Sequence, residues 1–296
     1  NTFADDAGRE LYNFVDADFL GEYANATSDI DDGDIGGTAG NACVLSTSTI
    51  PKLFASAAKK LDQLNIPRTK RFAAISPTVM QLLIEKMDGK DTALGDSTGM
   101  NGHIGKYMGF ELFMSNALSY TATWTPADNP TDNATITIGG VVFTFQTTGT
   151  ATAAGDVSRG ANTAATLDNL VLAINGTGTA GASTYIAISD ANRKTLQGIT
   201  ATDGTTFVSL VWNGGSEAVV ATSEAADLWS AQTVHQLFGE KGAIDLVIQK
   251  EPKVEFKDVP DKLGKNVLPW TLYGLKTFTE GAKALVDVKV DTTQLV

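Results

Sequence analysis

The stretch Leu61–Ser119, LDQLNIPRTKRFAAISPTVMQLLIEKMDGKDTALGDSTGMNGHIGKYMGFELFMSNALS, decides how this chain folds. Its first part ends an amphipathic helix at Asn65-Ile66-Pro67, because a residue before proline is pushed out of the helical region. Arg71-Phe-Ala-Ala-Ile-Ser-Pro77 follows, a short apolar run that predicts a buried strand. Ser76-Pro77 then predicts a helix start, since serine caps free N–H groups and proline fits the first turn. Val79, Leu82, Leu83 and Met87 give that helix one apolar face. A polar, glycine-rich loop runs from Asp88 to Gly109, and Phe110 to Asn116 predicts another strand.

Leu61, Asp62, Asn65, Pro67, Arg71, Ser76, Pro77, Gly105, Gly109, Phe110, Ser115, Asn116 and Leu118 stand in a fixed order. That order resembles the axial domain of tailed-bacteriophage major capsid proteins, the Hong Kong 97-type capsid fold. The likeness covers about sixty residues and extends more weakly to Thr2–Ala42 and Ser230–Val290. It leaves out the middle third of the chain. It implies an α+β fold with a spine helix and loop at 1–42 and an axial domain at 43–120 that resumes at 230–252. An insertion domain would occupy 121–229, and peripheral strands with the C-terminus 253–296. It also implies assembly contacts, for which Leu11, Phe14, Phe19, Tyr23, His103, Tyr107, Trp270 and Tyr273 are the candidates. The family's N-terminal arm and the extended loop ahead of its spine helix find no match here.

The totals describe an ordinary globular chain, not a disordered one. A chain of 296 residues has room for two domains, and 43% hydrophobic with 19% charged residues is an ordinary globular composition. A net charge of −12 repels phosphate, so only weak, non-specific contact with DNA is expected. Cys43 is the single cysteine, which excludes an intrachain disulfide and suits a small buried apolar residue. No apolar run reaches membrane-spanning length and no signal-peptide pattern opens the sequence, so no membrane association is expected. The chain begins with Asn1 instead of methionine, which reads as a processed or incomplete start.

Ahead of the opening stretch, Phe3, Ala7, Leu11, Phe14, Val15, Phe19 and Tyr23 recur at three- and four-residue steps and predict a helix over Thr2–Ala26. Asp16, Asp18, Phe19, Leu20 and Tyr23 resemble the end of the family's spine helix. Ser28–Ala42 is acidic and predicts a loop. As a calcium loop counted from Asp29 it fails, because its sixth position holds Asp34 where glycine is needed and its twelfth Gly40 where glutamate is needed. Ile50, Leu53, Phe54, Ala57, Leu61 and Leu64 predict the next helix. The glycine-rich loop fails as a phosphate loop: Met100 holds the first glycine position and Tyr107 follows Lys106, which removes the hydroxyl that holds magnesium.

From Tyr120 to Leu228 the texture changes. The segment holds 22 threonines and 12 glycines, with only Arg159, Arg193 and Lys194 basic, and this shift marks it as a separate α+β module. Strands are predicted at Ala134–Ile138 and Val141–Gln146 around Gly139-Gly140, and at Thr184–Ile188, Phe207–Trp212 and Ala218–Thr222, with a helix at Thr163–Ile174. Ile136–Gly140, Phe143–Phe145 and Asn169–Gly176 are similar to segments of Thr/Gly-rich modules in phage virion proteins. Beyond it, Thr233–Phe238 predicts a helix running into a strand at Ala243–Ile248. Alternation from Lys253 to Val290 predicts long strands, with Tyr273, Gly274 and Lys276 resembling the family's closing signature.

Catalytic patterns do not form. His103, His235 and Cys43 cannot supply a four-ligand zinc site, and neither histidine has a nucleophile pattern beside it. The three Asn-x-Thr triplets, at Asn25, Asn133 and Asn175, are what chance gives in a threonine-rich chain. No enzyme activity, cofactor or metal is expected. The sequence reads as a major capsid subunit forming pentamers and hexamers around double-stranded DNA in a virion assembled in the host cytoplasm. A decoration protein, a scaffold and a portal are its further partners. The alternatives are a phage tail-tube or baseplate protein, and a secreted adhesion or carbohydrate-binding protein.

Overall fold

The computed structural model of the chain describes residues 2–88, 105–213, 220–222, 229–258 and 265–292. It opens with α1 (Thr2–Gly21), a 3₁₀ turn (Glu22–Asn25), β1 (Ser28–Ile30), α2 (Asp32–Ile35) and α3 (Ile50–Gln63). Next come β2 (Arg71–Ile75), α4 (Pro77–Met87), β3 (Lys106–Tyr107), β4 (Phe110–Met114) and β5 (Ser119–Trp124). The middle holds β6 (Thr135–Ile138), β7 (Val141–Gln146), β8 (Asp156–Ser158) and α5 (Thr163–Asn175). It continues through α6 (Asp190–Thr195), β9 (Ile199–Asp203), β10 (Val208–Asn213) and β11 (Val220–Thr222). The chain closes with β12 (Thr233–Glu240), β13 (Ile244–Asp258), β14 (Lys265–Thr277), α7 (Thr279–Lys283) and β15 (Leu285–Asp291). This is an α+β chain that divides into two compact units. The first comprises Asn1–Ser119 and His235–Val290, the second Tyr120–Val234 with Asp291–Gln294.

In the first unit the strands run β3-β4-β2-β12, and β15 joins β12 to β1. β2 lies parallel to β4, with Phe72 opposite Glu111, and antiparallel to β12, with Ala74 opposite Leu237. α3 presents Ile50, Leu53, Phe54, Ala57 and Leu61 to the core, one helical face. Phe54, Phe110 and Phe238 meet there with ring centroids 5.1 to 6.0 Å apart.

The ordered residues of the opening stretch each have a local job. Asn65 adopts φ 58°, the left-handed conformation that ends a helix. The N–H of Ile66 then reaches Leu61 C=O and that of Asn65 reaches Asp62 C=O. Arg71, only 3% exposed, closes the turn by donating to the carbonyls of Ile66 and Pro67 and to Asp62. Ser76 Oγ accepts from Val79 N–H and caps α4. Met108 and Gly109, both at positive φ, make the two-residue turn that pairs Tyr107 with Phe110.

In the second unit β11-β6-β7-β8 form one sheet, while β5, β10 and β9 lie side by side in that order. Gly139 and Gly140, at φ 56° and 80°, make the hairpin turn between β6 and β7. Ile136, Phe143, Phe145, Leu167, Leu170 and Ile174 are buried. The incoming and outgoing chain lie together: Trp124 bridges Trp229, and Ser230 N–H donates to Thr123 C=O at 2.7 Å.

Several expectations are corrected. Thr233–Phe238 is part of strand β12, not a helix. Its inner residues are buried on both faces, which erases the alternation that marks a strand. Thr184–Ile188 forms no strand; Tyr185 alone bridges Val157. The acidic loop Ser28–Ala42 holds β1 and the one-turn α2, whose Asp31 and Asp34 cap one another. α1 gives way to a 3₁₀ turn after Gly21 and does not continue to Ala26. The expected boundary between 252 and 253 falls inside β13. β5, α6 and β9 were not expected as elements. Most of the glycine-rich loop, with His103, lies outside the described residues.

Candidate assembly surface

β13 and β14 pair antiparallel from Ile244–Thr277 to Asp258–Lys265, with bulges near Lys250, and form a sheet of two strands. A ribbon of two strands cannot bury both faces and is marginal by itself. α1 supplies one packing partner. Tyr273 Oη donates to the Asp18 carboxylate, and Thr277 Oγ1 to Glu22. The Tyr273 hydroxyl is pushed up to about 12, by burial first and by Asp18 second, so it remains a donor at neutral pH.

The 3₁₀ turn after α1 is tied to the sheet by half-buried Tyr23 and the buried pair His235 and Asp287. The Tyr23 ring stacks on His235 with centroids 4.0 Å apart and planes 21° apart. His235 Nδ1 lies 2.9 and 3.0 Å from the two carboxylate oxygens of Asp287. Burial and the charge of Asp287 push the Tyr23 hydroxyl up to about 12. A carboxylate in the otherwise apolar run Leu285-Val-Asp-Val288 was the signal for this pair, and sequence reasoning passed over it.

Large apolar side chains remain outward on both elements, among exposed charges such as Glu10, Lys250 and Lys253. On α1, Val15 and Leu20 are buried, but Tyr12 is 54% and Phe14 60% exposed. On the ribbon Val247, Ile248, Phe256, Trp270 and Leu272 stand open. Of the interface candidates, Phe14 and Trp270 are therefore on the open surface, and Leu11 is half-buried. Tyr23 and Tyr273 fix α1 in place. Phe19 lines a cavity of about 440 Å³ together with Leu20, Phe72, Phe113, Met114 and Ile244. Asp16 also borders it, its carboxyl raised by burial. Tyr107 meets Phe54 edge-on at 5.0 Å and covers the core. His103 lies outside the described residues.

Among the described residues no group of three or more His, Cys, Asp or Glu could hold a metal ion, and no helix is long and apolar enough to cross a membrane. Open aliphatic and aromatic side chains on a helix and ribbon that pack together are of the kind that suits protein contact.

No protein-family model and no curated protein matches the chain. A solved structure from Mycobacterium phage Che8 aligns with 93% of this chain at 14% identity and a TM-score of 0.42. The chain spans 56% of that neighbour's length. A likeness of this size carries no argument about function.

Proposed function

We propose that this chain is a self-assembling structural subunit, the major capsid protein of a tailed-phage-like particle with a domain inserted in its axial domain. The observation that carries the reading is the open apolar surface of α1 and the β13–β14 ribbon. Side chains such as Phe14, Val247 and Phe256 gain stability only when another protein surface covers them. The capsid assignment in particular rests on the sequence resemblance. The element order α3, β2, α4, β4 is the one it implies, and a long helix packed on a long ribbon has the parts of a spine and a peripheral domain.

In this reading α1 is the spine helix and β13–β14 the peripheral ribbon. Copies associate as pentamers and hexamers, and the subunit does its work by association without catalysis. A decoration protein, a scaffold and a portal are its further partners in the virion. The acidic charge keeps contact with packaged DNA weak.

Negative-stain images and sedimentation of the purified chain test this. Closed shells or capsomer-sized rings are the expected result. Tubes would point to a tail protein. A monomer at all concentrations would overturn the proposal.

A further inference from the structure

The cavity of about 440 Å³ beside α1 has an apolar floor and an acidic border. Leu20, Phe72, Ala74 and Ile244 line it and are buried, while Phe113 and Met114 stand exposed at its mouth. Asp16 and Glu240 border it, and among the described residues neither side chain has an ion-pair partner. Burial alone raises the Asp16 carboxyl, as it does for an acid with no cation beside it. The one cation at the border, Lys241, is already engaged. Its Nζ donates to Glu111 at 2.7 Å and lies 5.1 Å from the centre of the Phe113 ring. The occupant that suits such a cavity is a large apolar side chain with an ammonium group near it.

The ribbon carries that combination on one face. Tyr273 and Thr277 turn toward α1, where they donate to Asp18 and Glu22. Side chains alternate along a strand, so Leu268, Trp270 and Leu272 stand on the other face, and all three are exposed. Residues opposite one another in an antiparallel pair share a face. Lys250 is opposite Leu272, Lys253 opposite Trp270, Glu255 opposite Leu268 and Lys257 opposite Asn266. Three lysines thus flank an apolar stripe, with Glu255 held by Lys253 at 3.0 Å and Glu251 in the irregular stretch between Lys250 and Lys253. Among the described residues Lys250 has no acidic partner.

The ribbon cannot serve the cavity of its own chain. Ile244, at the start of β13, lines that cavity, and Lys253, the partner of Trp270, is nine residues further on. At about 3.3 Å per residue that is about 30 Å along a paired strand, which does not fold back over its own base.

We propose that the cavity of one copy receives Trp270 from the ribbon of another, with the lysines of that ribbon face meeting Asp16 and Glu240. The inference rests on the reading of this chain as a self-assembling subunit and names the two surfaces that meet. The patches differ, so the contact repeats head to tail and either closes into a ring or runs on as a chain. Trp270 is the anchor, an aromatic side chain entering an apolar cavity, and the charges fix its direction of entry.

The test uses the full chain. Met114→Cys at the cavity mouth and Leu268→Cys beside Trp270 are made separately; Cys43 is buried and takes no part. Under oxidation the two variants mixed should form disulfide-linked dimers, neither should do so alone, and a chain with both cysteines should give a ladder. Trp270→Ala should raise the concentration needed for assembly by about thirtyfold, the worth of an aromatic anchor. Lys250→Glu and Asp16→Lys should each raise it by about tenfold, and mixing the two changes in one chain should bring it back toward the wild-type value. That recovery reads a contact between charges, which damage to the fold would not give. Shells of the wild type with no mixed crosslink, formed equally well by Trp270→Ala, would overturn the proposal and leave the cavity to another occupant, with the assembly reading still standing. A wild-type chain that stays monomeric at every concentration would remove the assembly reading and this contact with it.

Discussion

Replacing Phe14 with aspartate separates folding from assembly. Fully burying a phenylalanine side chain stabilises by about 1.5–3 kcal/mol. Phe14 still exposes 60% of its surface in the single chain, so roughly 1–2 kcal/mol per copy is left to be gained at a contact. A carboxylate in its place also has to be desolvated there, at a cost on the order of 2–3 kcal/mol. Together these weaken each contact by roughly a hundredfold to a few thousandfold. The subunit itself loses little, because water already covers the site, and its stability should change by less than about 0.5 kcal/mol. Val15, one residue on, is 7% exposed, and Val15→Asp should unfold the helix packing instead. Thermal melting reads the first quantity, and sedimentation with negative-stain imaging the second. The expected result is a normally folded Phe14→Asp subunit that makes no shells. Shells at wild-type yield would remove the outer face of α1 from the interface and refute the reasoning.

The second unit should stand alone: Ala122–Leu228 expressed by itself should melt cooperatively, and a short Gly/Ser linker in its place should leave the first unit folded. A fragment without a transition, together with a deletion that cannot fold, would tie the segment to the parent core. The Asp168 carboxyl is raised by burial and then by Asp203 beside it. A raised acid gains stability as pH falls through the carboxylate range and loses it as pH rises past the folded-state value, so Asp168→Asn should flatten the pH profile of melting on that side. Arg71→Ala should destabilise the first unit far more than Arg68→Ala, measured by denaturant unfolding. Both guanidinium groups pair with Asp62, but the Arg68 side chain is 79% exposed and Arg71 also holds two carbonyls.

The sequence was most legible where a residue's local geometry is stringent. Ser76-Pro77 announced α4, Gly139-Gly140 its hairpin, and the spacing from Ile50 to Leu61 the face of α3. It was least legible where tertiary contact decides. β12 reads as no clean period because its interior positions are buried on both sides. Tyr185 pairs with Val157 at a single bridge, although the apolar run around it promised a strand. The assembly candidates split for the same reason. Helical spacing marks Leu11, Phe14, Val15 and Phe19 as one apolar set, but it cannot say which of them the ribbon covers. The structure buries Val15 and leaves Phe14 open. His235 and Asp287 are 52 residues apart in sequence, and no local pattern joins them.

The residues that carry the family resemblance and those that would carry function are different sets. Asp62, Asn65, Arg71, Ser76 and Gly109 serve a helix end, a buried clamp, a cap and a turn, and none of them belongs to the open apolar surface. A likeness built on them therefore speaks to how the first unit folds. In the second unit Trp124 bridges Trp229, and Phe143, Phe145, Leu170 and Ile174 are buried. On the proposed reading, assembly uses what neither core buries: Tyr12, Phe14, Val247, Phe256 and their neighbours. These could be changed without disturbing the motif, and the motif could be kept intact in a chain that never assembles. That is why an exposed phenylalanine, and none of the motif residues, is the position at which the capsid reading stands or falls.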